Sequence, residues 1–221
     1  MNDFYKQPLF LQWMEAIFIL VIGFFPALVI IELTYDQPAF SLLFLLYIPV
    51  GQFSNTPIFK LTRVYKYYSP MLLGYMANEV QIDLHSGTSF DYLFVMRKHK
   101  AGIEFRKTLL TYHLQGLLYI ISQIENDAVP NTVNIVGTSY FFNERTLNKV
   151  GFEIETPSLF YRLNLFANAI DLIWMYSLSQ GKLSMPKIWQ AKKASISGSQ
   201  LVANKEVIEL LYNRMISKFF P

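Results

Sequence analysis

Cysteine is missing altogether from the 221 residues, which excludes a disulfide framework, a thiolate metal site and a cysteine nucleophile. Charge is missing from a long stretch near the start: Ala16 to Ile31 carries no ionised or strongly polar side chain. With Trp13 and Met14 ahead of it, this run reaches the ~20 residues a membrane-spanning helix needs. Cations are scarce in residues 1–59, where Lys6 stands alone against Asp3, Glu15, Glu32 and Asp36. The leader before the apolar run is thus barely basic, and no small-residue cleavage site follows Ile31, so a removable signal peptide is excluded. Glycines are too few around the one cationic loop that precedes a long helix to make a P-loop, which excludes nucleotide hydrolysis of that kind.

What is present begins with a second apolar run, Ala39 to Gly51. It reaches bilayer length when Gln52, Ser54, Asn55 and Thr56 are taken into the head-group end before Lys60. Residues 1–59 therefore read as a two-helix transmembrane hairpin. Pro26 is tolerable inside the first span, whereas Pro49 suggests a kinked or re-entrant second one. The tip, Thr34 to Ala39, has no cation, while Lys60, Arg63 and Lys66 follow the second run. That asymmetry predicts a cytoplasmic-membrane protein with its following domain in the cytoplasm. In residues 60–78 the cations interleave with Tyr65, Tyr67 and Tyr68, the pattern of a collar at the lipid head groups. The same pattern suits single-stranded nucleic acid, but beside a span the bilayer is the expected partner. Lys60 to Pro221 holds 18 Lys/Arg against 12 Asp/Glu, a surplus suited to anionic lipid head groups or phosphate-bearing ligands and equally to a plain solvated surface.

Residues 79–221 read as one α+β domain with a mixed sheet, a long central helix and a helical C-terminal part. Glu79 to Leu84 alternates as a half-buried strand, His85 to Ser89 is a turn, and Phe90 to Met96 reads as a second strand completing a hairpin. From Gly102 to Ile124, Ile103, Leu110, Leu114, Leu117, Ile121 and Ile124 fall at helical spacing. Thr132 to Val136 is a central strand, Asn143 to Val150 a short helix closed by Gly151, and Phe152 to Glu155 another strand. Thr156-Pro157 opens a helix to about Ser179, with Phe160, Leu163, Ala167, Ile170 and Trp174 facing inward. Arg162, Asn164, Asn168 and Asp171 keep that helix out of the membrane. Pro186 to Gly198 reads as a basic loop and Leu201 to Phe219 as a last amphipathic helix.

The run Arg97-Lys98-His99-Lys100-Ala101-Gly102 enters the long helix, and a cationic loop at a helix N-terminus favours phosphate or pyrophosphate. Solvated turn residues would look the same. Asp83, His85 and Asp91 form a second polar cluster: Asp-x-His at a strand end suits a metal ligand set or an acid/base pair, and a turn histidine bonded to a neighbouring Asp is the simpler state. His113 reads as a core histidine. Asn164, Asn168 and Asp171 share a helical face that could line a pocket or simply be solvated.

Over Glu79 to Glu155 this order of elements resembles the second half of the GNAT superfamily of N-acyltransferases. There a strand runs into an R/Q-x-x-G-x-G/A loop that cradles the coenzyme A pyrophosphate, a helix follows, and a further strand leads to a short helix ending in Gly-Phe. Arg97-x-x-Lys100-x-Gly102 stands for the loop, with Lys100 in place of the first glycine, and Asn143 to Phe152 for the closing helix. The resemblance implies acyl transfer from coenzyme A, as a cosubstrate and not a resident cofactor, to an amine. It assigns Arg97, Lys98, Lys100, Ala101, Gly102 and Asn143 to the donor, Glu79 or Asp83 as general base, and Tyr140 as proton donor to the leaving thiolate. The rival expectation is a non-catalytic membrane adaptor that binds a partner protein.

Overall fold

The computed structural model describes residues 3–138 and 144–217. After a short 3-10 turn, Asp3–Lys6, comes helix α1, Leu9–Asp36, and then, through a 3-10 segment Pro38–Leu43, helix α2, Phe44–Leu61. Both arms, Leu9–Asp36 and Pro38–Leu61, are long and apolar enough to cross a membrane, and only 22% of each apolar window is buried. The core helix of a soluble domain would be mostly covered. α1 instead exposes Phe18, Ile22, Phe25, Leu28 and Ile31 over about half its girth and buries Ala16, Gly23, Ala27 and Ile30. Small residues on the buried stripe let two helix backbones approach, as they do where lipid removes any hydrophobic preference for contact. A Cβ on Gly23 would overlap Ser54 of α2.

The sheet has six strands among the described residues, β1 Tyr65–Ser69, β2 Leu72–Tyr75, β3 Gln81–Ser86, β4 Asn134–Thr138, β5 Glu153–Glu155 and β6 Lys193–Ser197, in the order β1-β2-β3-β4-β6-β5. β1, β2 and β3 form an antiparallel meander, β3 and β4 run parallel, and β6 lies antiparallel between β4 and β5. The helices are α3 Ser89–Phe94, α4 Ile103–Glu125, α5 Glu144–Lys149, α6 Leu159–Ala167, α7 Ala169–Gln180, α8 Gly198–Ala203 and α9 Lys205–Ser217. α4 is the crossover between the parallel strands. Its Leu114, Leu117, Ile121 and Ile124 pack with Ile82, Ile135 and Ile196 in the main core.

Several expectations are corrected. Phe90 to Met96 is no strand: Thr88 and Asp91 form a capping box and start α3, whose Phe90 and Tyr92 are buried. A T-x-x-D box supplies side-chain acceptors for the free backbone N–H groups at the helix start, and that favours helix over the aromatic run's strand preference. The hairpin partner of β3 is β2, so residues 60–78 enter the sheet instead of forming a free collar. Tyr67 donates a hydrogen bond to Asp91, and Lys60 lies over the Tyr5 and Tyr67 rings. The helix after Pro157 is capped by Ser158 and broken at Asn168 into α6 and α7. Its expected inward residues Leu163 and Ile170 face outward, while Asp171 and Met175 are buried. The basic segment 186–198 contains β6, whose Ala194 and Ile196 alternate into the core.

Candidate active site

β3 and β4 stay in register from Gln81↔Asn134 to Leu84↔Gly137. Beyond that pair they part. Among the described residues, His85 and Ser86 continue only against β2, at Leu73 and Leu72, while Thr138 pairs only with Lys193 of β6. A cavity of about 60 Å³ occupies this fork at the C-terminal ends of the parallel strands. Its walls are mostly apolar, including Leu84, Leu117, Leu147 and Phe152, and its polar groups are His85, Ser86 and His113. An apolar hollow with a few convergent polar groups where parallel strands diverge is the usual form of a ligand site in a mixed sheet.

The two histidines sit in opposite circumstances. His113 is 3% exposed, and its Nε2 lies 3.2 Å from the Ser86 hydroxyl. Burial pulls its pKa down to about 4, against a backbone hydrogen bond at Met71, so the imidazole is neutral at physiological pH. His85 is half-buried on the other side of the strand, and its Nε2 lies 3.3 Å from Asp83 Oδ2. The alternation of β3 explains the split: Leu84 and Ser86 point to α4, Asp83 and His85 to the opposite face. Asp91 belongs to neither group. Its Oδ2 accepts from the Tyr67 hydroxyl at 2.7 Å and from the Thr88 amide at 2.9 Å. Burial raises its pKa to about 6 although all these bonds pull it down.

Of the residues expected at a site, Asp83 adjoins the fork through His85. Glu79 is exposed before the far end of β3, with about 17 Å of strand between Gln81 and Ser86. Tyr140 and Asn143 lie outside the described residues. Arg97 and Lys98 are exposed in a 3-10 turn, Lys100 and Ala101 are exposed, and Gly102 precedes α4. The Gly102 amide donates to Leu178 O at 2.8 Å, so the end of α7 takes part of the α4 N-terminus. Gly102 and Gly181 both have positive φ, at 99° and 70°, and a Cβ on Gly181 would meet Gly102 Cα at 3.1 Å. His113 is ten residues further along α4, a rise of about 15 Å. The cationic loop and the cavity are therefore separate features along one helix.

In the sequence His113 reads as a core histidine and Ser86 as a turn residue, which misses their place at a cavity. Helical spacing put His113 on an apolar stripe, which is correct, but the stripe faces a hollow. No family model, no curated protein and no solved structure matches the chain. The site is read from its own geometry.

Proposed function

We propose that the chain is a membrane-anchored acyltransferase, with α1 and α2 crossing the cytoplasmic membrane, the sheet domain on the cytoplasmic side, and the fork between β3 and β4 receiving the acyl end of coenzyme A. The observation that carries the reading is the parting of two parallel strands around an apolar cavity, reached through a strand–helix–parallel-strand crossover with a cationic loop at the helix start. The GNAT resemblance implies that order of elements. α3, standing between β3 and the loop, is a departure from it. Sidedness follows from Lys60, Arg63 and Lys66 at the domain end of α2 and none at the tip.

In this reading His85, its Nε2 3.3 Å from Asp83 Oδ2, stands on the face of β3 opposite Ser86 and acts as the base through the gap where β3 and β4 part. The amine nitrogen attacks the thioester carbonyl carbon as His85 takes its proton. The C–N bond forms, the C–S bond breaks, and the imidazolium returns the proton to the leaving sulfur. Ser86, held 3.2 Å from the Nε2 of neutral His113, lines the acyl pocket. Arg97, Lys98 and Lys100 remain available to the phosphates.

The test uses the full chain in lipid nanodiscs. Acyl-coenzyme A of graded chain length raises the thermal midpoint, and amines release free coenzyme A, which a thiol reagent reads without background because the chain has no cysteine. His85→Ala keeps the thermal shift and loses roughly 10²–10⁴-fold in release, the worth of a general base. No shift and no release with any donor overturns the proposal in favour of a membrane adaptor.

A further inference from the structure

The strongest unexplained surface is on α6. Leu159, Leu163, Phe166 and Ile170 are 71%, 57%, 55% and 39% exposed. Within α6 the spacing of four and three puts Leu159, Leu163 and Phe166 within about 40° of one line at 100° per residue, and Ile170 follows in the first turn of α7, beyond the break at Asn168. A solvated helix would turn this stripe inward, and the neighbouring Trp189, also exposed, lies against Phe166 with ring centroids 6.3 Å apart. The polar residues that argue against lipid lie elsewhere on the helix. Asn164, Asn168 and Asp171 fall about 120–180° away from Leu159 by the same count. Asn168 bonds back to Asn164 O at 2.7 Å, and Asp171 is buried with the Trp174 indole on it at 3.0 Å. Arg162, nearer the stripe, has a stem long enough to carry its charge to the head groups.

The hairpin fixes the depth of this stripe. Gln52 of α2 donates to the side chain of Asn168, at the α6–α7 junction. Ser54, two residues on, packs against Gly23 of α1. Gly23 is eight residues beyond Glu15, about 12 Å of rise, and near the middle of the uncharged run that ends before Glu32. Gln52 is two residues nearer the hairpin tip than Ser54, so with the near hydrocarbon boundary at Glu15 and the far one at Glu32 the α6–α7 junction stands at about the middle of the bilayer. An exposed apolar stripe is what that level requires.

We infer that α6 and the first turn of α7, with Trp189, form a second membrane contact, lying against the acyl region of the near leaflet with Leu159, Leu163, Phe166 and Ile170 in lipid. The occupant is the bilayer itself, continuous with the lipid around α1. The inference rests on the spanning hairpin proposed above and adds that the domain is sunk into the membrane, not merely tethered to it.

The test labels single cysteines with an environment-sensitive fluorophore in the full chain, reconstituted in vesicles with and without lipids brominated along the acyl chain. Leu163→Cys and Phe166→Cys report on α6, Leu28→Cys on the hairpin and Leu210→Cys, exposed on α9, on water. All four sites are exposed, so the fold tolerates the labels. Labels at 163 and 166 lose their emission to brominated lipid as the label at 28 does, while the label at 210 does not. Quenching at 28 without quenching at 163 and 166 overturns the inference and leaves the hairpin standing. No quenching at 28 overturns both.

Discussion

Asp91 and His113 are both buried, and they pull the pH dependence of stability in opposite directions. Asp91 titrates higher in the fold than in the unfolded chain, near 6 against 3.8. The folded state therefore holds its proton longer, and stability falls as pH rises from about 4 to about 6. His113 titrates lower in the fold, near 4 against 6.5, so the unfolded chain binds the proton first and stability rises over nearly the same interval. The two slopes, each at most about 1.4 kcal/mol per pH unit, oppose one another and leave the intact chain nearly level there. Asp91→Asn keeps an acceptor for Tyr67 and Thr88 and removes the falling limb, so its midpoint of denaturation climbs from pH 4 to 6.5. His113→Gln leaves the falling limb alone, and its midpoint drops over the same range. Denaturant titrations at several pH values read both, and two variants with the profile of the intact chain would refute the assignment. Of these two residues only the burial of His113 was legible in the sequence. The Thr88-x-x-Asp91 spacing was also visible, but the aromatic run Phe90 to Met96 outweighed it, because strand preference is partly a record of burial and α3 is buried.

At the scale of elements, long periodic segments were read correctly. α4 was foreseen because its apolar positions repeat over more than five turns. β6 was not, because Lys193-Ala-Ser-Ile-Ser has only two apolar residues, and its two neighbours in the sheet lie far off in sequence. α6 was foreseen as a helix but turned the wrong way, since periodicity marks an apolar face without saying whether protein or lipid covers it. The α1–α2 contact makes a sharper prediction. Gly23→Ala places a methyl group against the side chain of Ser54, and overpacking of that kind costs about 1–3 kcal/mol. The detergent-solubilised chain should unfold at lower temperature. Adding Ser54→Gly removes the obstructing atoms and restores most of the loss, although it gives up the Ser54 hydroxyl bond to Val50 O. A double variant no better than Gly23→Ala alone would mean that the two helices do not meet at this pair.

The whole molecule is closed by its last strand. β5 has a single strand neighbour, β6, and β4 has β6 on the side away from β3. β6 is made some forty residues after β5, so until Lys193–Ser197 is in place β4 presents an open edge and β5 has nothing to bond to. An unprotected edge of that kind is a template for association. The cavity depends on the same strand, since Ala194 forms one of its walls and Phe152, just before β5, another. Ending the chain after Gln190 therefore removes more than a terminal tail. It opens the sheet at β4, frees β5 with α5, and strips the main core of Ala194, Ile196, Leu201 and Ile208. The shortened chain should still enter membranes through α1 and α2 but run as aggregates on size exclusion in detergent, with rapid proteolysis after Glu125. Ending the chain after Ala203 instead keeps β6 and loses α9, so the sheet and fork survive with lower stability. A monodisperse, protease-resistant domain lacking residues 191–221 would show that β1 to β4 and α4 fold without the inserted strand, and the fork would then need another explanation for its closed wall.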